Sequence, residues 1–529
     1  MNVSASTASS KGRSKRRTGG HTGRPEPSSL LPASKIPKVE QTSTADPAEM
    51  DALLVIVSDE PTSSVLEQLP DSERWQELNA RSKPRAGTVR TTVLTNKRQT
   101  TAVLGYIGAK ASTFERLSLA GRMFKEAAAR NPRIVGLMAL SDAPQDAEAL
   151  LAAGLASAFQ MPAFRSKSDA EVGIERLLLV GPDLIGQGKV DIPYGIASAR
   201  GTNLVRWLTA LPPNKLDSRG YHETVAKLAR SHKLGFEWYD ESALKKLGAN
   251  AFLAVSAANA NREAGIAHLT YRPKGNKARS PDIALVGKGI LFDTGGVNLK
   301  PHRSMLDMHT DMSGSAVALA TLLALVELNA PISVDAWLAI TENQIGPTAY
   351  RPQEVITASN GVTIQVIHTD AEGRMVLADT LALAARTEPR FMIDFATLTG
   401  AAVYSLTERM SGVLTNQETL APVLVEAGRT SGERVWNFPF DSDFDSDIES
   451  KVADVAQCSV DSKGDHILAT RFLSRFVPEK TPWAHVDLAA STRTGGLAHI
   501  NTEVTGFGVR YALELILKHD ILGVVGRRK

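Results

Sequence analysis

The stretch Ile283-Ala284-Leu285-Val286-Gly287-Lys288-Gly289-Ile290-Leu291-Phe292-Asp293-Thr294-Gly295-Gly296 decides how this chain is organised. Its first four residues are the apolar run of a buried strand. A lysine and an aspartate follow, set among Gly287, Gly289 and Phe292 rather than on a polar helix face. Charges left at the end of a buried strand cost several kcal/mol each unless something neutralises them.

More such charges follow. Lys300 lies in Val-Asn-Leu-Lys-Pro, Asp311 in Met-His-Thr-Asp-Met-Ser-Gly, and Asp370, Glu372 and Arg374 in His-Thr-Asp-Ala-Glu-Gly-Arg. The last motif comes after the alternating, strand-like segment Val362 to Ile367. An isolated D-x-E or K-x4-D is ordinarily a solvated turn or an ion pair. Three such motifs at strand-to-loop junctions between Lys288 and Arg374 are a different matter. If Asp293, Asp311, Asp370 and Glu372 converge, Lys300 and Arg374 offset two charges, but no acid–base group then remains free. Two divalent cations balance the carboxylates and leave both side chains for reactants. Carboxylate oxygens suit Mn²⁺, Mg²⁺ or Zn²⁺, and the sequence holds no thiolate cluster to select otherwise. Lys288 joins such a shell only as the neutral amine, toward which burial and an adjacent dication both push it. A two-metal hydrolytic centre is the expectation.

These motifs resemble the leucyl aminopeptidase (cytosol aminopeptidase) family of dinuclear metallopeptidases. The resemblance runs from about Arg200 to about Leu517 and includes Leu211–Asn214 (LPPN), Leu247–Val255 (LGANAFLAV), Ala349–Val355 (AYRPQEV), Ala396–Ala401 (ATLTGA) and Trp483–Ala489 (WAHVDLA). It implies that Lys288, Asp293, Asp311 and Glu372 hold the tighter ion, and Asp293, Asp370 and Glu372 the more exchangeable one. Asp293 and Glu372 would bridge. It further implies a water held between the ions as nucleophile, and Lys300 polarising the scissile carbonyl. Arg374 would hold a bicarbonate that shuttles the proton. Backbone groups of Thr397, Leu398 and Gly400 would align a peptide with a free N-terminus and a Leu-like first residue. A homohexamer is implied as well. The sequence departs from the family at His368 (usually Asn), His309 (commonly Lys), Gln353 (commonly Gly) and Ala210 (often Asn). None of these removes a ligand.

At 529 residues the chain is too long for one core. The expected fold is α/β throughout. Residues 48–192 form a small N-terminal α/β domain with a mixed sheet. Residues 193–525 form a larger catalytic domain, whose central, twisted, mostly parallel sheet is flanked by helices. In the first domain, Leu53–Val57, Thr91–Leu94, Ala102–Ile107, Arg133–Leu140 and Leu177–Val180 look like strands, and Phe114–Ala129 and Gln145–Phe159 like helices. It has no phosphate loop and no histidine, so no chemistry is assigned to it. In the second, strands are expected at Phe252–Val255, Ile266–Tyr271, Ile283–Val286, Val334–Ile340 and Phe391–Phe395. Helices are expected at Ile196–Leu208, Tyr221–His232, Ser315–Leu328 and Met375–Ala385. Ligands of such a sheet lie beyond the carboxyl ends of its strands, where Lys288, Asp370 and Thr397 are expected.

Residues 1–47, rich in Ser, Thr, Gly, Pro, Lys and Arg, are expected to be disordered. Up to Met50 the chain carries eight Lys and Arg against four Asp and Glu, while its net charge is +3. The basic excess therefore resides in the tail. No apolar segment of a secretory signal follows the basic cluster, and the apolar run Ala316–Val326 is about half the ~20 residues that span a bilayer. One cysteine, Cys458, excludes an intrachain disulfide and fits a reducing, cytoplasmic setting. Two other readings stay open at this point. One is a nucleic-acid-binding or regulatory protein that keeps the fold, suggested by Lys11–Arg17. The other is an inert scaffold, suggested by His368 and Gln353.

Overall fold

In the computed structural model, residues 30–32, 35–44, 46–141, 143–166, 173–181, 190–276 and 278–526 are described. The first sheet comprises β1 (Lys38–Thr42), β2 (Ala52–Ser58), β3 (Val89–Val93), β4 (Thr101–Ile107), β5 (Ile134–Ala139) and β6 (Arg176–Val180) in the order β1-β6-β5-β2-β4-β3. All neighbours are parallel except β3, which runs antiparallel to β4. Parallel strands must be covered on both faces. Leu54 and Ile56 of β2 accordingly pack under the helices Thr113–Ala128 and Pro144–Ser157, while Leu53, Val55 and Val57 pack toward Trp75.

The second sheet is built from β7 (Gly235–Asp240), β8 (Gly265–Tyr271), β9 (Ile283–Asp293), β10 (Val334–Asn343), β13 (Phe391–Ala396), β14 (Ser411–Thr415), β15 (Val435–Asn437) and β17 (Trp483–Asp487). Their order is β15-β14-β17-β13-β9-β10-β8-β7. The central strands β17, β13, β9 and β10 are parallel, so their carboxyl ends emerge together. Ile283 and Leu285 face the core that holds the helix Ser313–Glu327, and Ala284 and Val286 face the core that holds Glu372–Ala385. A third, small sheet joins β11 (Val355–Thr357), β12 (Thr363–Gln365) and β16 (Val455–Ala456). Among the described residues, one helical stretch is long and apolar enough to cross a membrane, His302–Glu327, and 83% of its apolar window is buried inside the protein.

Four expectations need correction. The expected strand Phe252–Val255 is the helix Asn250–Ser256. A run of so few apolar residues fits either period, and here Asp379 accepts the N–H of Phe252 in the helix's first turn. Strand β9 continues to Asp293, so Lys288 sits within a strand and not beyond its end. The helix expected from Met375 begins at Glu372. Finally, part of the tail expected to be disordered to residue 47 is structured. Leu30 is buried in the core beside the second sheet, and β1 pairs along its whole length with β6. The remainder of that tail, residues 1–29, lies outside the described residues.

Candidate metal centre

Five chain segments bring the predicted side chains to the carboxyl edge of the second sheet. Gly287 and Gly289 flank Lys288 because the helix Ser313–Glu327 approaches here. A Cβ on Gly287 would lie 2.5 Å from the Gly314 carbonyl oxygen, and one on Gly289 would lie 2.9 Å from Ser315 Oγ and 2.6 Å from the Ala339 carbonyl oxygen of β10. Lys288 Nζ meets Asp311 Oδ1 at 2.8 Å and Glu372 Oε1 at 3.1 Å. It also donates to the Thr397 carbonyl at 2.9 Å. At the end of β9, Asp293 Oδ1 accepts from the Gly295 N–H and from Asn343 Nδ2, each at 2.8 Å. The chain then reverses through Gly295 and Gly296, both at positive φ. This returns Lys300 Nζ to within 2.8 Å of Asp293 Oδ2 and 2.5 Å of Asp370 Oδ1.

The loop carrying Asp370 is locked to this reversal. Thr369 Oγ1 donates to the Gly295 carbonyl at 2.7 Å, and its N–H donates to Asn298 Oδ1 at 2.9 Å. Asn343 Nδ2 and the Tyr350 hydroxyl both donate to the Thr369 carbonyl. Asn343, Tyr350, Thr369 and Asn298 were not anticipated from sequence. Their partners are remote along the chain, and Asn298 and Thr369, although inside the charged motifs, are themselves uncharged.

Ligand oxygens of Asp293, Asp370 and Glu372 lie within 4.8 Å of one another. Burial, reinforced by the negative charge of Asp293, holds the carboxyls of Asp311, Glu372 and Asp370 above the usual carboxylate range. Burial alone would lower the two lysines, but the surrounding carboxylates outweigh it and lift both. Even with both ammonium groups charged, the acids are short of positive charge. Asp311 Oδ2 and Glu372 Oε2 are buried without a hydrogen-bond partner. Buried acceptors without donors, in an all-oxygen set at this spacing, fit divalent cations.

The catalytic-domain description of the cytosol aminopeptidase family matches residues 203–513. The chain belongs to the cytosol aminopeptidase family. A probable cytosol aminopeptidase of Synechococcus sp. (strain JA-3-3Ab) is 38% identical over 386 residues, covering 71% of this chain and 74% of its own. That of Agrobacterium fabrum is 41% identical over 327 residues, 61% of this chain and 64% of its own. A mutant of tomato leucine aminopeptidase superposes with a TM-score of 0.80 at 28% identity, over 92% of this chain and 98% of that one. The bottromycin maturation enzyme BotP in complex with Mn gives 0.75 at 27% identity, over 89% and 99%. The chain is thus an aminopeptidase of a metal-dependent family, on the α/β fold expected.

The remaining predicted residues are arranged less uniformly. Thr397, whose backbone was expected to align the substrate, accepts from Lys288 Nζ through its carbonyl at 2.9 Å, and its hydroxyl donates to Asp311 Oδ1 at 2.6 Å. The Leu398 N–H is already given to Asp487 Oδ1 at 3.1 Å, so only its carbonyl is left for a substrate. Gly400 opens the helix Gly400–Leu406 and is exposed. His368 is exposed, and its Nδ1 accepts from the Asp370 N–H at 3.3 Å, beside the acidic cluster and not inside it. His309 lies on the turn Met308–Thr310, where burial holds its imidazole below the usual range. Gln353 adopts φ +74°, a conformation natural to the glycine that is common there.

Arg374 departs from expectation in its partners. It is buried, with Nη1 donating to the Gln457 carbonyl at 3.2 Å and Nη2 to Asp465 Oδ2 at 2.7 Å. Only Nε lacks a partner. Two of its five N–H groups are thus engaged, and Asp465 already balances the guanidinium's charge.

Proposed function

We propose that this enzyme is a leucyl-type aminopeptidase that removes Leu-like residues from peptides with a free N-terminus, using two divalent ions, Mn²⁺ or Zn²⁺. Lys288, Asp293, Asp311 and Glu372 would hold one ion, and Asp293, Asp370 and Glu372 the other. Such a pair, when bound, acidifies the attacking water and polarises the scissile carbonyl. The single observation that carries this reading is the convergence of Asp293, Asp370 and Glu372 within 4.8 Å, with Asp293 and Glu372 buried and unpaired acceptors beside them.

The chain's own groups supply the rest. Lys300 is the more exposed of the two lysines, 14% against 3%, so its ammonium is the donor available to a substrate carbonyl and to the oxyanion formed from it. Asn343 and the Gly295 N–H fix the Asp293 carboxylate, which keeps Lys300 oriented. The Leu398 carbonyl and Gly400 line the approach, and the small, apolar character of this stretch favours an apolar side chain. Arg374, already paired with Asp465, would be the residue to hold a bicarbonate.

The exposed apolar side chains Leu299, Leu306, Tyr404, Trp436 and Val460 are consistent with burial in a homohexamer. Names of the relatives support a cytoplasmic setting. The test is hydrolysis of leucine amide with Mn²⁺ or Zn²⁺, beside elemental analysis of the purified protein. We expect two ions per chain and turnover that Glu372→Gln abolishes. A normal rate and metal content in that variant would refute the ligand assignment.

A further inference from the structure

We propose that Asp487 is a positioning residue for the metal centre, fixing the loop 397–399 and through it the ligand atoms of Lys288 and Asp311. The inference rests on reading that centre as a pair of divalent ions. It concerns the ion assigned to Lys288, Asp293, Asp311 and Glu372.

The loop leaves the end of β13 between two sets of contacts. On one side Thr397 faces the acidic cluster. Its carbonyl accepts from Lys288 Nζ at 2.9 Å, and its hydroxyl donates to Asp311 Oδ1 at 2.6 Å. On the other side Asp487, the last residue of β17, takes hold of the residues that follow. Its Oδ1 accepts the N–H groups of Leu398 and Thr399 at 3.1 and 3.4 Å, and its Oδ2 accepts from Thr399 Oγ1 at 2.7 Å. Ala396 of β13 lies directly opposite Asp487 in the parallel pairing. The carboxylate therefore clamps the loop where it departs, next to the carbonyl that receives Lys288.

A buried carboxylate is a costly way to end a strand. Asp487 is 1% exposed, and burial pushes its carboxyl up. The charge of His485, itself held by Asp394 at 2.7 Å, and the three loop donors oppose that shift. What a carboxylate supplies here is strength, since its hydrogen bonds are about twice as strong as neutral ones. Metal ligands are in turn oriented by the groups that hydrogen-bond to them. Thr397 does this for Lys288 and Asp311. Asp293 and Asp370 are held by Gly295, Asn343 and Lys300, on other segments. A slack loop should weaken one ion and spare the other.

The test measures Mn²⁺ and Zn²⁺ binding by the full-length protein in competition with a chelator, beside leucine amide turnover and the melting temperature of the metal-free form. Asp487→Ala should weaken the tighter ion about 10–100-fold and leave the other within about twofold of the parent. Its turnover should recover toward the parent when metal is in excess. Asp487→Asn keeps an acceptor for both N–H groups and should bind as the parent does. Thr397→Val leaves Asp487 untouched but removes the hydroxyl on Asp311, so it should weaken the same ion. Should Asp487→Ala not fold, Thr399→Ala cuts the tie from the loop's side and must show the same selective loss. Both ions bound as in the parent, with only the metal-free form melting lower, would overturn the proposal. So would equal weakening of both ions, or an Asn variant as weak as the Ala one. A parent that binds no ion would instead overturn the two-ion reading, and this inference with it.

Discussion

Gly373 shows how little room separates a ligand from a clash. A Cβ at this position would lie 2.5 Å from Lys288 Cε and 2.7 Å from its Nζ. Lysine tips usually swing aside, but this one is held by Asp311, Glu372 and the Thr397 carbonyl. Gly373→Ala should therefore shift Lys288 while leaving the helix intact, since alanine is the better helix former. We expect turnover to fall about 100-fold, the usual effect of an ångström-scale misplacement, with a loss of bound metal by elemental analysis. Full activity and metal content would show that Lys288 is not held where the geometry has it. The glycines around Lys288 and the paired acids were legible in the sequence because each departs from what a solvated surface or a plain strand contains. Asp465 was not, because its partner Arg374 lies 91 positions away and an Asp at a helix start looks like an ordinary cap. Gln353 was recognised as a departure, and its positive φ supplies the physical reason.

At the scale of elements, the acids that hold helix starts were invisible in the sequence although they decide local structure. Glu433 Oε2 accepts the N–H groups of Gly508 and Tyr511, at 2.9 and 2.8 Å, at the start of the helix Val509–Leu517. Burial outweighs those bonds and raises its carboxyl to about 7. An unfolded glutamate ionises near its ordinary value of about 4.3, so between that value and about pH 7 the folded chain retains a proton that the unfolded chain has released. Stability from this group is thus present at low pH and declines as pH rises through the window, by on the order of 3–4 kcal/mol. Glu433→Gln keeps an acceptor and removes the titration. Urea unfolding at pH 5 and pH 8 should show the variant gaining, relative to the parent, as pH rises; equal differences at both pH values would refute this. The same blindness to distant caps accounts for the misread helix Asn250–Ser256. Its apolar run fits either period, and the deciding partner, Asp379, lies 127 positions away.

At the scale of the whole molecule, Leu30 and strand β1 tie the core beside the second sheet to the first sheet. Leu30 is 2% exposed within the core of the second domain, and its carbonyl accepts from Trp207 Nε1 at 2.8 Å. A few residues later β1 closes the edge of the first sheet, and the Lys38 N–H extends that pairing to the Glu175 carbonyl at 2.8 Å. The sequence concealed this because the composition here resembles a tail, and a five-residue edge strand carries too short a period to register. Two truncations separate the accounts. Removing residues 1–29 retains both contacts, whereas removing residues 1–47 takes away Leu30 and β1 and leaves β6 as an open edge. Burial of one leucine contributes about 2 kcal/mol, and the lost strand adds to it. The longer truncation should therefore melt several degrees below the shorter one in calorimetry and associate more readily through the exposed β6. Equal melting temperatures would mean that the segment does not staple the domains, and that the boundary drawn at residue 47 from composition was the correct one.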